Sequence, residues 1–140
     1  VFDCTTLSDI TQNNDAGKCE ASVAVSAPQA SDNCDGAVIA TGTRSDGKAL
    51  TDPYPLGTTT ITWTFSDNAN NSIECEQKVI VQDAEKPIAV CKSATITLNA
   101  NGTYTLQTSE IDNNSSDNCG ITKYTLSKTD FTCADIGKQL

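Results

Sequence analysis

Seven cysteines and the absence of histidine decide what chemistry this 140-residue chain can do. Thiols bind zinc, act as nucleophiles or form disulfides. Zinc and redox sites usually need two cysteines close together, as in Cys-x-x-Cys, and no pair in this sequence has that spacing. Without histidine, the commonest metal ligand and general base is missing, so a nucleophile would have no activator. We therefore interpret the cysteines as structural disulfides of an oxidising compartment and expect no catalysis.

Part of the sequence occurs twice, at a distance of about one small domain. Ser-Asp-Asn-Cys ends at Cys34 and again at Cys119, which is 85 residues later, and Cys4 and Cys91 are 87 residues apart. Repetition at this spacing is typical of modules used many times in an array. The sequence therefore predicts two related modules and a function that depends on a string of modules.

The second copy is expected to be incomplete. After Gly57 the first copy continues with an alternating run at 58–65, whereas only three residues follow Gly137. The connection between the copies is short and contains Pro87, which favours a stiff linker. The predicted boundaries are residues 1–83 for the first module, 84–87 for the linker, and 88–140 for the N-terminal part of the second module.

The elements that position these residues are predicted to be β-strands. Polar and apolar residues alternate at 21–27, 61–65, 73–75 and 79–81, as in half-buried strands, and no apolar spacing of 3.6 residues is present. Turn residues such as Ser45-Asp46-Gly47 separate the strands at short intervals. The pattern predicts an all-β fold of tandem immunoglobulin-like or fibronectin-like β-sandwich modules, stapled by disulfides.

The predicted strand order ranks the possible disulfides, although spacing alone does not fix them. Cys34 follows the second strand and Cys75 opens the last strand, and in a sandwich these two positions share one end. We therefore predict a Cys34–Cys75 disulfide, worth about 4 kcal/mol in the chain-entropy account of cross-links. The remaining assignments are Cys4–Cys19 by elimination and Cys91–Cys133, with the partner of Cys119 expected in the missing strand.

Acidic side chains in the predicted loops offer oxygen ligands that suit Ca²⁺. They lack the spacing of a recognised calcium loop, and Asp and Asn are also common in turns because their side chains hydrogen-bond to nearby backbone. A turn role and a calcium role are therefore alternative interpretations, and calcium between modules would stiffen an array. The candidate calcium ligands are Asp83, Glu85, Asp32, Asp35, Asp67 and Asp117.

The net charge and the aromatic residues limit the classes of binding partner that can be expected. The formal net charge of −9 at pH 7 repels phosphate backbones and anionic lipid, so neither nucleic acid nor a membrane is an expected partner. Trp63 shares a strand face with Ile61 and Phe65, which predicts a core residue. A carbohydrate-binding surface would need exposed aromatic rings, and Tyr54 and Tyr104 are the candidates for one.

The first module resembles the hyalin repeat (HYR) domain family over residues 1 to about 83. The segments that carry the resemblance are 28–34, 54–60, 67–71 followed by Cys75, and 79–81. The family usually has Gly where Asn70 stands, and Asn tolerates the left-handed conformation of such a turn. From Pro87 onwards the chain is similar to related modules that alternate with hyalin repeats in giant secreted bacterial surface adhesins, including those of gliding motility.

The resemblance implies a non-catalytic stalk or adhesion module of a large secreted cell-surface protein, acting in surface attachment or gliding. The implied partners are neighbouring repeats of the same chain and surface polysaccharide or other cell-surface proteins. The alternative is a carbohydrate-binding or protein-binding accessory module of a secreted multidomain enzyme. The two interpretations differ in whether aromatic side chains lie exposed on a module surface.

Overall fold

The computed structural model describes residues 4–34 and 36–137 of the chain. The chain divides into two compact units, unit 1 (Val1–Ala84) and unit 2 (Glu85–Leu140). The described residues form ten strands in several small sheets, one α-helix of a single turn and two short 3₁₀ helices. This architecture confirms the predicted all-β, immunoglobulin-like fold class.

Unit 1 is built on a four-stranded sheet with two strand pairs beside it. A short 3₁₀ helix, Cys4–Thr6, precedes the strands. The large sheet has the order β1-β8-β7-β5, and β2 pairs with β6 and β3 with β4. The strands are β1 Ile10–Asn13, β2 Glu20–Ala21, β3 Gln29–Asp32, β4 Gly36–Ile39, β5 Thr41–Arg44, β6 Tyr54–Pro55, β7 Gly57–Ser66 and β8 Ser72–Gln82.

The core of unit 1 lies on one face of the long β7–β8 hairpin. Alternate residues of both strands are buried, as a period of two requires. Trp63 is fully buried, which confirms the predicted core role, and its indole N–H donates to Gln77 Oε1 at 3.0 Å. The amide of Gln77 donates in turn to the carbonyl oxygen of Ser8 at 2.7 Å, so a buried polar side chain joins the core to the segment before β1.

Unit 1 has two ends, defined by the direction of β8. The N-terminal end contains Cys4, which lies next to the first residues of β8. The C-terminal end contains Asn14 and Ala84. These residues follow the pair Asn13↔Gln82, which is the last pair of the parallel strands β1 and β8. Because β8 has 11 residues, the two ends are separated by about 33 Å at the rise of a β-strand.

The strand predicted at 21–27 is shorter than expected. The side chains alternate as predicted, with Val23 and Val25 packed against the core and their neighbours exposed. Only Glu20–Ala21 pairs with another strand, because Ala21 lies opposite Tyr54 in the antiparallel register and the next residue along β2 would lie opposite Pro53. Proline lacks the backbone N–H that the next ladder hydrogen bond would need, so the pairing stops there.

Unit 2 has fewer paired strands, one short α-helix and a 3₁₀ helix at Cys133–Asp135. Strand β9, Thr103–Thr105, pairs antiparallel with β10, Asp130–Thr132, and Phe131 on β10 is the one buried hydrophobic residue in the described part of the unit. The prediction of β structure throughout is wrong at Thr108–Ile111, which forms the helical turn α1. The signal that sequence reasoning missed is Glu110. Its carboxylate accepts the backbone N–H of Gln107, the residue before the helix, at 2.7 Å, as in a capping box.

Candidate functional site

Cys4 and Cys75 form the disulfide of unit 1, with their Cα atoms 5.5 Å apart. The predicted Cys34–Cys75 pair is therefore wrong, and so is Cys4–Cys19. The physical reason is the parallel pairing of β1 with β8, which carries the preceding 3₁₀ helix to the start of β8. Cys75 points into the core, whereas Cys34 is exposed in the tight β3–β4 connection.

The predicted Cys91–Cys133 disulfide is also absent from unit 2. Cys91 is exposed and forms an isolated antiparallel bridge with Asp112. Cys133 is exposed as well, and its thiol lies 3.8 Å from the carbonyl oxygen of Gly102. The two cysteines have different neighbours. Cys133 directly follows β10, and because β10 is antiparallel to β9, Cys133 lies beside the loop that precedes β9.

At the N-terminal end of unit 1, the turn between β7 and β8 is closed by Asp67. Its carboxylate accepts the backbone N–H of Asn71 at 2.8 Å and the Asn71 side-chain amide at 2.7 Å. These two hydrogen bonds to Asn71 lower the pKa of Asp67. Asn70 has φ = 66°, so it adopts the left-handed conformation expected at this position.

A groove of about 250 Å³ lies beside this turn. Two of the predicted calcium ligands, Asp32 and Asp67, line it together, so the structure brings them to one place. Phe65 and Val38 supply part of its apolar lining. The Asp67 carboxylate already serves the turn through Asn71, which is the role that the turn interpretation gives to loop aspartates.

The repeated Ser-Asp-Asn-Cys sequence forms the same turn in both units. In unit 1, Asp32 Oδ1 accepts the backbone N–H of Cys34 at 2.8 Å. In unit 2, Asp117 Oδ1 accepts the backbone N–H of Cys119, also at 2.8 Å. An aspartate that bonds to the backbone two residues ahead is a common turn device, so the motif has a structural role in each repeat.

The C-terminal end of unit 1 is organised by Asn14, which sequence reasoning missed. Its backbone N–H donates to Gln82 at 2.9 Å, and its side-chain oxygen accepts the backbone N–H of Ala84 at 3.0 Å. Its side-chain amide donates to the carbonyl oxygen of Lys18 at 2.8 Å, next to the exposed Cys19. Cys19 is therefore held beside the residues through which the chain leaves unit 1. The sequence signal for this role was the polar segment that follows β1 and ends in Gly17.

Arg44 forms a second unpredicted polar centre in unit 1. Its side chain is fully buried, and its guanidinium hydrogen-bonds both carboxylate oxygens of Asp46, at 2.9 and 2.6 Å. It also donates to the backbone carbonyl oxygens of Ala49, Asp52 and Pro53, and it stacks 3.8 Å from the centre of the Tyr54 ring.

The Arg44 hydrogen bond is the main reason why the pKa of Asp46 is lowered. Because its donors reach both sides of the loop between β5 and β6, this buried cation holds that loop in place. Arg44 directly before the turn Ser45-Asp46-Gly47 was the available signal.

The remaining candidate calcium ligands divide between the two units. Asp83 directly follows β8 at the C-terminal end of unit 1, whereas Glu85 and Asp117 belong to unit 2. Asp35 lies outside the described residues. Calcium binding by any of these side chains stays a prediction.

The two tyrosines considered for carbohydrate binding form no exposed aromatic surface within residues 4–34 and 36–137. Tyr54 is fully buried under Arg44, and its hydroxyl donates to the carbonyl oxygen of Leu50 at 3.1 Å, so the condition that Tyr54 and Tyr104 both lie exposed is not met. Tyr104 of unit 2 is half-buried, and its hydroxyl donates to the Glu110 carboxylate. Neither ring is available as an open stacking platform.

Comparison with known proteins identifies the family of the chain. The model of the HYR domain matches residues 1–81, which is more than half of the chain, while comparison with curated proteins and with solved structures finds no match. HYR domains are repeat domains often found in cell-surface adhesion proteins, and they occur in extracellular proteins. The Cys4–Cys75 disulfide fits an oxidising environment.

Within the described residues, no helix has the length and apolar character to span a membrane. The chain belongs to the HYR domain family.

Proposed function

We propose that this chain is a non-catalytic spacer and adhesion segment of a large secreted cell-surface protein, acting in surface attachment or gliding. Its partners are neighbouring repeats of the same chain, together with surface polysaccharide or other cell-surface proteins. Membership of the HYR family and the negative net charge support an extracellular role of this kind.

The observation that carries the proposal is the placement of the two ends of unit 1. The chain passes Cys4, which is joined to Cys75 at the N-terminal end, and leaves through Ala84 at the C-terminal end, nine residues or about 30 Å further along at the rise of a strand. A module of this kind adds its own length to an array each time it is repeated. A module with both termini at one end would add bulk instead.

The accessory binding module is the weaker alternative. Its sugar-stacking surface required Tyr54 to be exposed, and that ring is buried against Arg44. The spacer role needs no such surface, because length and resistance to unfolding are sufficient for it.

Small-angle scattering on a chain with two complete HYR modules tests the proposal, with and without Ca²⁺. We expect an elongated particle whose maximum dimension grows by about one module length, roughly 30–40 Å, from one module to two, given the strand rise along β8. A compact pair of modules, or a freely flexing pair under both conditions, would contradict the spacer role. If Ca²⁺ acts at the junction, it should narrow the distribution of dimensions without changing the fold.

A further inference from the structure

The loop between β5 and β6 contains a peptide bond with unusual chemical surroundings. Asp52–Pro53 is the one Asp-Pro bond of the chain, and it directly precedes β6. The carbonyl oxygen of this bond, which belongs to Asp52, accepts a hydrogen bond from Arg44 Nη1 at 2.7 Å. The Arg44 side chain is fully buried and an arginine cannot be deprotonated in a protein, so a permanent positive charge is held against this peptide carbonyl.

An Asp-Pro bond differs chemically from the bonds that follow the other aspartates. Elsewhere, the backbone N–H of the next residue can attack the aspartate side chain and form a succinimide, which leaves the chain intact. Proline has no backbone N–H, so that reaction is blocked. What remains is attack by the side-chain carboxylate on the backbone carbonyl carbon of its own residue, which closes a cyclic anhydride. This reaction breaks the chain, because the proline nitrogen is the leaving group.

We propose that unit 1 cleaves its own chain at Asp52–Pro53, with the Asp52 carboxylate as the nucleophile and the Arg44 guanidinium stabilising the charge that develops on the carbonyl oxygen. Each chain reacts once and does not turn over a substrate. The proposal is therefore independent of the spacer role, and scattering can show an elongated particle whether or not this bond breaks.

A turn between Ala49 and Asp52 restricts the nucleophile. The Asp52 carboxylate oxygen Oδ2 accepts the backbone N–H of Ala49 at 3.0 Å. The backbone N–H of Asp52 donates to the Ala49 carbonyl oxygen at 3.1 Å. These two hydrogen bonds fix the side chain against its own turn, which removes rotational freedom that attack would otherwise have to overcome. Asp52 is exposed, so water reaches this residue for the second step of the reaction.

The carbonyl that is attacked lies among the donors of one guanidinium. Arg44 Nη1 contacts the carbonyl oxygens of Ala49 and Asp52 at 2.9 and 2.7 Å, and Nη2 contacts that of Pro53 at 3.2 Å. The Asp52 carbonyl has the shortest of these three contacts. Its oxygen gains negative charge when the carboxylate attacks, and a cation that is already in place stabilises that charge more than it stabilises the neutral ground state. The fold thus lowers the barrier at this bond.

The atoms of the reaction balance with water as the co-reactant. Asp52 Oδ1, the carboxylate oxygen that Ala49 does not hold, forms a bond to the carbonyl carbon, and the C=O electron pair moves to the oxygen beside Arg44. The pair then returns, the bond from this carbon to the Pro53 nitrogen breaks, and the nitrogen takes a proton from the solvent. The anhydride left at Asp52 adds one water molecule, becomes two carboxyl groups and returns a proton to the solvent. Nothing is oxidised or reduced.

Cleavage leaves unit 1 in one covalent piece. Position 52 lies between Cys4 and Cys75, so the disulfide joins the fragments 1–52 and 53–140. The unreduced protein therefore gains only the mass of one water molecule, and the two fragments separate when the disulfide is reduced.

Mass spectrometry of the full chain, kept folded in mildly acidic buffer, tests the proposal. The acid supplies the proton that the leaving nitrogen takes. We expect the unreduced protein to gain one water with first-order kinetics that do not depend on protein concentration, and reduction to release fragments 1–52 and 53–140. Trp63 fluorescence shows whether unit 1 stays folded during the incubation. A folded chain that stays intact, or one that breaks at other aspartates instead, would overturn the proposal.

The same bond in the unfolded chain is the reference. In urea at the same pH, the carbonyl is no longer held by Arg44, so cleavage should be at least about tenfold slower than in the folded chain. Cleavage that is equal or faster in urea would show that the fold does not promote the reaction, and would refute the role of Arg44.

Variants separate the chemistry from stability. Arg44→Lys should slow cleavage of the folded chain about 10²-fold, the low end of the loss for one oxyanion donor, and should match the parent chain in urea. Asn70→Val also destabilises unit 1 but lies outside this loop, so it should cleave at the parent rate while folded. Asp52→Asn should not cleave, because a side-chain amide is a poor nucleophile. An unchanged rate in folded Arg44→Lys contradicts the proposal. If fluorescence shows that this variant is unfolded, the comparison of the parent chain with and without urea decides.

Discussion

Replacing the Cys4–Cys75 disulfide should remove much of the stability of unit 1. The bond closes a loop with a sequence separation of 71 residues, for which the chain-entropy relation gives about 4 kcal/mol at 25 °C. A unit of this size has a total stability of roughly 4–13 kcal/mol at the usual 0.05–0.15 kcal/mol per residue. The double variant Cys4→Ala/Cys75→Ala should therefore unfold at a much lower urea concentration, or be partly unfolded without denaturant.

Trp63 provides the assay, because it is the one tryptophan of the chain and is fully buried in unit 1. Its fluorescence during urea titration reports the unfolding of unit 1 without a signal from unit 2. The matched control is Cys34→Ser, which changes an exposed thiol outside the bond and should keep the free energy of unfolding within about 0.5 kcal/mol of the parent chain. A loss below about 1 kcal/mol in the double variant, or an equal loss in the control, would refute the reasoning.

Substitutions at four further positions probe other parts of unit 1. Arg44→Lys should lower the free energy of unfolding by about 2–3 kcal/mol in urea, because an ammonium group cannot reproduce the forked hydrogen bonds to Asp46 and to three backbone carbonyls. Because the folded-state pKa of Asp46 is lowered, its contribution is complete above the unfolded-state pKa and is lost as pH falls through the folded value, so Asp46→Asn should flatten the acid limb of a stability–pH curve. Asn70→Val should cost about 1–2 kcal/mol in the same titration because φ is 66° there, whereas Asn70→Gly should stay within about 0.5 kcal/mol. Gly42→Ala would place a Cβ 2.6 Å from the Trp63 ring, so we expect a loss of about 1–3 kcal/mol and a shifted fluorescence maximum.

The sequence predicts the hairpin of unit 1 well because its signal is local. Alternation around Ile61 and Trp63 places their side chains on one face, and the structure buries both. The left-handed conformation of Asn70 in the following turn was predictable for the same reason, because the turn needs one residue that tolerates this conformation and Asn is such a residue. Strand type and turn position depend on neighbours within a few residues, which a sequence displays directly.

The disulfide was not predictable in this way, because it depends on a pairing between distant segments. Cys4 reaches Cys75 because β1 pairs in parallel with β8. The sequence of neither strand indicates which other strand it pairs with. Arg44 was missed because a cation in an alternating strand is ordinarily assigned to the solvent face. Its burial is possible because Asp46 and the loop carbonyls satisfy its donors, and that loop geometry is visible only in the folded chain.

The Cys4–Cys75 bond also determines how unit 1 responds to a pulling force. Tension applied along the chain reaches Cys4, crosses the disulfide to Cys75, and leaves through the remainder of β8 to Ala84. The residues between the two cysteines lie in a closed covalent loop outside this load path. The oxidised unit can therefore lengthen to no more than about 37 Å between Cys4 and Ala84, made up of the 5.5 Å between the Cα atoms of the disulfide and nine residues of extended chain, whereas the reduced unit could be drawn out to about 280 Å. The redox state of one bond thus sets whether the module behaves as an inextensible link or as an extensible tether.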